Sequence, residues 1–130
     1  MTRDELYWLT VTVLQEAGGE PYLGKLAVAC VIVTRARHDG TSISDTVLKP
    51  LIFSAWNTSS PTRRMLDKPE DDQWVACYKA ACAAYFDLVP DPTFRADHYL
   101  AEKSLPKLPA WFAESKVTVR IGNHTFLRLW

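Results

Sequence analysis

The run Gly18-Gly19-Glu20-Pro21 constrains this chain more than any other feature, because it stops one helix and starts the next. Adjacent glycines lose too much backbone freedom to continue a helix, and a proline suits a first helical turn, where its missing N–H is no loss. Upstream, Thr2 to Glu5 reads as a capping box, and Leu6, Leu9, Val13 and Ala17 follow at helical spacing, which predicts a helix from Arg3 to Ala17. Downstream, Leu23, Ala27, Cys30 and Thr34 share a face that Leu26, Ala29 and Val33 widen, and Gly40 ends the basic tail. So much small apolar surface makes the second helix the central, most buried one. Glu16 breaks the pattern of the first. On a helical wheel it lies beside Leu9 and Val13, so a carboxylate is pushed toward the interior just before the break. Desolvation there favours the protonated form and equips the group to deliver a proton at neutral pH. The structural alternative makes Glu16 a last-turn surface residue and Glu20 a cap for the following helix.

The remainder of the chain reads in two parts. From Gly40 to Asp72 periodicity is weak: Ser44 to Leu48 suits one helical turn stopped by Pro50, and Asn57 to Pro61 is a loop. A stretch of that length without periodicity in a compact domain is more often functional than accidental. Asp71 or Asp72 then caps a helix to Leu88, with Trp74, Tyr78, Ala81 and Tyr85 turned inward, and Pro90 and Pro92 end it. Lys116 to Ile121 and His124 to Leu129 alternate polar with apolar residues around Gly122-Asn123, the signature of a hairpin, with a further strand expected at Ala96 to Leu100. The expected fold class is α+β, about three helices with a small antiparallel sheet, in a single domain over residues 1–130.

Charge and cysteine usage narrow the function classes. Fifteen acidic residues balance fifteen basic ones, which argues against nucleic acid or an anionic membrane as partner. Leu6 to Leu14 is too short to span a bilayer, and Thr2-Arg3-Asp4-Glu5 puts acid where a signal peptide needs base; the expectation is a chain made in the cytoplasm without a signal peptide. Cys30, Cys77 and Cys82 are odd in number and fall in helical patterns, so they are expected as buried core residues rather than disulfides or nucleophiles. A cysteine peptidase using His98 or His124 would need an accessible, activated thiol. No histidine or cysteine pair has metal-ligand spacing, so no metal and no other cofactor is expected. For His98 and His124 on their strands the structural reading is a half-buried ring bonded to backbone; His38 reads as exposed at a helix end. Tyr99, Trp56 and Trp111 are candidates for a saccharide-stacking platform or, equally, for the core.

The segment from Gln15 through Gly18-Gly19-Glu20-Pro21 to Thr34-Arg35 resembles the opening signature of the SleB-type cell-wall hydrolases, a family of spore-cortex-lytic enzymes and related phage lysins. Phe53-Ser54-Ala55-Trp56, Ala96-Asp97-His98-Tyr99 and Gly122-Asn123-His124-Thr125-Phe126 resemble three later family segments in the same order. The resemblance covers nearly the whole chain. It implies a lysozyme-like or resuscitation-factor-like core and cleavage of the β-1,4 bond between N-acetylmuramic acid and N-acetylglucosamine in peptidoglycan glycan strands, usually by lytic transglycosylation. The family's catalytic glutamate falls on Glu16. Its next acidic position falls on Glu20, either substrate-orienting or structural, and Phe53, Trp56, His98 and Tyr99 are the remaining substrate-binding candidates. The family commonly has arginine at the place of Gly18 and asparagine at that of Thr34. The alternatives are a muramidase hydrolysing the same bond and a non-catalytic wall-binding or virion module. A monomer is expected, acting on the wall after release by a holin-type partner.

Overall fold

The structure, a computed structural model, describes residues 2–48 and 71–130. Phe53, Trp56, the Asn57 to Pro61 loop and Pro50 lie outside the described residues. Helices α1 (Thr2–Ala17), α2 (Tyr22–Asp39) and α4 (Asp71–Tyr85) pack on one another, with a single turn, α3 (Ile43–Val47), between the second and third of them. Strands β1 (His98–Leu100), β2 (Val117–Ile121) and β3 (His124–Leu127) form an antiparallel sheet in the order β1-β3-β2. The expected α+β class and its C-terminal hairpin are both present.

α2 is the core helix for the reason its composition implied: every residue from Gly24 to Val33 is buried, as is Ala36. Leu23 is the exception to its expected face, standing half exposed in the first turn, ahead of the point where α1 and α4 close over the helix. On α1, Leu6, Leu9, Val13 and Ala17 are buried as their spacing required. The Glu5 carboxylate of the expected capping box accepts the Ile43 backbone N–H at 2.6 Å and so tethers α3 to α1. α4 turns Cys77, Ala80, Ala81 and Ala84 inward, with Trp74 and Tyr85 partly buried beside them, while Tyr78 faces solvent. Small residues on that face let α4 lie close to α2, and the bulky phenol has no room there. The helix ends at Tyr85 rather than Leu88 because Leu88 N–H donates to the Ala83 carbonyl and Asp87 N–H to the Ala84 carbonyl, with Asp87 at φ 56°.

Two glycines set the geometry around the predicted acid. A Cβ on Gly18 would stand 2.4 Å from the Leu14 carbonyl oxygen, so the turn leaving α1 excludes the arginine common in the related family. Gly122, in the hairpin turn, has φ +57° and faces the Glu20 carboxylate so closely that a Cβ would lie 2.7 Å from Oε2.

The strands are shorter than their alternation suggested. Beyond Leu127, Arg128 N–H still donates to the Lys116 carbonyl at 3.0 Å, but Leu129 and Trp130 N–H both turn to the Asp97 carboxylate, at 2.8 and 3.0 Å, and the ladder stops. Register pairs Tyr99 with Phe126 and Ile121 with His124, which brings the hairpin turn over the start of α2.

Candidate active site

Glu16, in the last turn of α1, is half-buried, and its Oε1 accepts a hydrogen bond from the Tyr99 hydroxyl at 2.8 Å across 83 residues of chain. Tyr99 reaches it because β1 is an edge strand of the sheet whose inner face packs on the helices. Burial, with the Glu16 charge and hydrogen bond adding to it, raises the Tyr99 pKa well above 10, so the phenol stays protonated and donates. The helix end and the strand therefore hold one carboxylate in a fixed orientation. The neighbouring Gln15 is buried, and neither atom of its amide has a hydrogen-bond partner.

Glu20 occupies a different environment. Its side chain is 8% exposed, and Oε1 accepts the Asn123 backbone N–H at 2.9 Å and lies 3.3 Å from His124 Nδ1. Lys25, also buried, donates from Nζ to the Glu20 carbonyl and closes the start of α2. The carboxylate is enclosed by the hairpin turn. The geometry of the His124 contact is too poor to count as a hydrogen bond, and the ring packs edge-on against Tyr99 with centroids 5.1 Å apart. Against expectation, no backbone group among the described residues bonds its Nδ1. Glu16, Tyr99, His124 and Glu20 thus form a continuous series from helix end to hairpin.

Burial lowers the His124 pKa below 6.5, with the Glu20 charge opposing. Stability from this group is complete above the unfolded-state value of 6.5 and is lost as pH falls from there through the lower folded value, because the unfolded chain takes up the proton first. Melting temperature should therefore decline as pH is lowered from 7.5 to 5, and the decline should flatten in His124→Gln. An equally steep profile in that variant would assign the acid sensitivity to other groups.

His98 does not join this series. Its Nδ1 pairs with Asp97 Oδ1 at 2.8 Å, so a carboxylate, not backbone, satisfies it, and its ring lies 5.2 Å from Trp111 and 5.5 Å from Trp130. Successive strand residues face opposite ways, so Trp111 beside His98 shares no platform with Tyr99. His38 is exposed as expected and stacks on Trp130 at 4.0 Å. Phe53 and Trp56 are outside the described residues. Among the cysteines, burial pushes the Cys30 pKa up to about 12 and that of Cys77 up to about 11, so neither forms a thiolate at neutral pH; Cys82 is only partly buried, contrary to expectation. Among the described residues no group of three or more histidine, cysteine or acidic side chains could hold a metal.

Two residues without an assigned role in the sequence prove central. Burial works to raise the Asp97 pKa, but the Leu129 and Trp130 amides and the His98 ring outweigh it and hold the carboxyl below its ordinary value. Arg35 is partly buried, its guanidinium 5.8 Å from the Trp130 ring centroid and within electrostatic reach of Tyr99 and Asp97. An acid directly before a strand histidine was a legible signal for the first; the second had none beyond its place in the central helix.

The cell wall hydrolase family model matches residues 19–127, most of the chain. This chain belongs to the cell wall hydrolase family. Breakdown of the bacterial cell wall is the activity that membership carries. The match contains Glu20, Tyr99 and His124 and begins just past Glu16. Two solved structures are similar to this cell wall hydrolase over nearly its full length. The catalytic domain of the germination-specific lytic transglycosylase SleB from Bacillus anthracis superposes with a TM-score of 0.69 at 23% identity, covering 98% of this chain and 97% of that one. The catalytic domain of the Bacillus cereus SleB protein gives 0.68 at 25% identity, covering 97% and 91%. A search among the curated proteins finds no match. No helix among the described residues is long and apolar enough to cross a membrane.

Proposed function

We propose that this cell wall hydrolase cleaves the β-1,4 bond between N-acetylmuramic acid and N-acetylglucosamine by lytic transglycosylation, with Glu16 as the single acid and base. The observation that carries the reading is the contrast between the two carboxylates. Glu16 is half-buried and oriented by Tyr99, whereas Glu20 is enclosed by the Gly122-Asn123 turn and His124. Glycosidases that use water or a covalent intermediate need a second carboxylate across the scissile bond. With Glu20 committed to the hairpin, the muramic acid's own 6-hydroxyl is the better attacker, being tethered to the reacting carbon at high effective concentration.

The proton balance closes on one group. Protonated Glu16 gives its proton to the glycosidic oxygen as the C1–O bond breaks, and the N-acetylglucosamine side leaves with a free 4-hydroxyl. The 6-hydroxyl oxygen bonds to C1, and its proton passes to the Glu16 carboxylate, restoring the acid. The Tyr99 hydrogen bond steadies the carboxylate in both halves of the cycle. The likeness to a SleB catalytic domain described as a lytic transglycosylase supports the same reading through the shared fold.

Mass spectrometry of the fragments released from purified walls tests it. The expected products end in 1,6-anhydromuramic acid, lighter by one water than a reducing end. A digest containing only reducing muramic acid ends would replace this reading with hydrolysis.

A further inference from the structure

A depression of about 460 Å³ lies at the C-terminal end of α2, lined among others by Arg37, Asp87, Arg95, Asp97, Arg128 and Trp130. Some of these charges are already engaged. Arg37 donates to the Tyr85 carbonyl at 3.2 Å, and Asp97 holds the Leu129 and Trp130 amides. Among the described residues, the side chains of Arg95, Arg128 and Asp87 make no hydrogen bond or ion pair. The loop that presents Arg95 is rigidly built: Asp91 accepts from the Thr93 N–H and hydroxyl and from the Arg95 N–H, and the Thr93 hydroxyl oxygen accepts from Ala96 N–H. Asp87, Phe94 and Arg95 are the non-glycine residues at positive φ among those described, at 56°, 57° and 66°, and two of them supply side chains to this depression. Backbone held in such conformations concentrates where a side chain must be aimed.

The mixture of signs selects the ligand. Two unpaired guanidiniums attract carboxylate or phosphate, but Asp87 and Asp97 in the same depression repel a polyanion such as a wall phosphodiester polymer. A group bearing both a carboxylate and an ammonium complements both signs. We propose that this depression binds the peptide stem carried by muramic acid, with a stem carboxylate on Arg95 and Arg128 and a diamino-acid ammonium at Asp87, an inference that rests on the peptidoglycan-cleaving reading of Glu16. One stretch of chain links the two places: Asp97 lines the depression, and Tyr99, two residues further on, holds Glu16.

Calorimetric titration of the full chain with a tetrapeptide stem, lysine in third place and D-alanine at its C-terminus, tests the site without turnover. Arg95→Gln/Arg128→Gln and Asp87→Asn should each weaken binding by about tenfold, as should a C-terminal amide on the tetrapeptide. In parallel, wild type should cleave peptide-bearing strands about tenfold better in kcat/KM than strands stripped of stems by an amidase, and the double arginine variant should reduce that ratio to near one. All three residues are exposed, so the variants should melt like wild type. Tetrapeptide affinity untouched by the arginine changes, or equal cleavage of both strands by wild type, overturns the proposal. Tetrapeptide binding that depends on the arginines, in a protein that cuts neither strand, would uphold the site and defeat the glycosidase reading instead.

Discussion

Glu16→Gln is expected to lower wall lysis by about a thousandfold while leaving thermal stability within about 0.5 kcal/mol of wild type. The amide keeps the shape of the side chain, and its oxygen still accepts the Tyr99 hydroxyl, which donates at 2.8 Å in the native protein. What is lost is the proton. An amide neither protonates the glycosidic oxygen nor removes the proton of the attacking hydroxyl, and both halves of the proposed cycle pass through this one group. Glu16 is half-buried and the Tyr99 hydroxyl that donates to it is neutral, so an isosteric amide keeps that contact. Muropeptide release followed by chromatography, with a thermal melt on the same preparation, reads both quantities. Turnover near wild type would remove Glu16 from the chemistry.

Glu20→Ala should do the reverse, costing about 3 kcal/mol of stability while the folded fraction keeps turnover close to normal. Removing the carboxylate strands the Asn123 N–H, deprives buried His124 of its acidic neighbour and empties the space facing Gly122. The loss corresponds to a melting point lower by about 10 °C for a domain of this size. Glu20→Gln should be milder, since an amide oxygen still accepts from Asn123. Turnover abolished by Glu20→Ala at an undisturbed melting point would mean that the roles of the two acids are exchanged.

These two glutamates mark the boundary of what the sequence discloses. Local rules were sufficient for the helix ending at Ala17, the buried central helix, the hairpin about Gly122-Asn123 and the α+β class, because glycine, proline and apolar periodicity act within a few residues of themselves. Local rules also located Glu16 as a carboxylate turned inward. They left Glu20 open between two roles, since its environment comes from a hairpin 103 residues away. They misjudged Leu23 and Tyr78, whose exposure depends on where neighbouring helices come to lie. Asp97 was visible as an acid before a strand histidine, but its hold on the Leu129 and Trp130 amides, which ends β3, was not.

The sequence by itself determined which segments are helical, where the chain must turn and which acid sits at a helix end. Tertiary structure decided which tyrosine orients that acid, which glutamate is enclosed and which charges gather around Trp130. Helix and turn signals are carried by backbone entropy and by side chains three or four residues apart. Orientation, desolvation and charge pairing depend on groups that become neighbours only when α2 packs against the sheet.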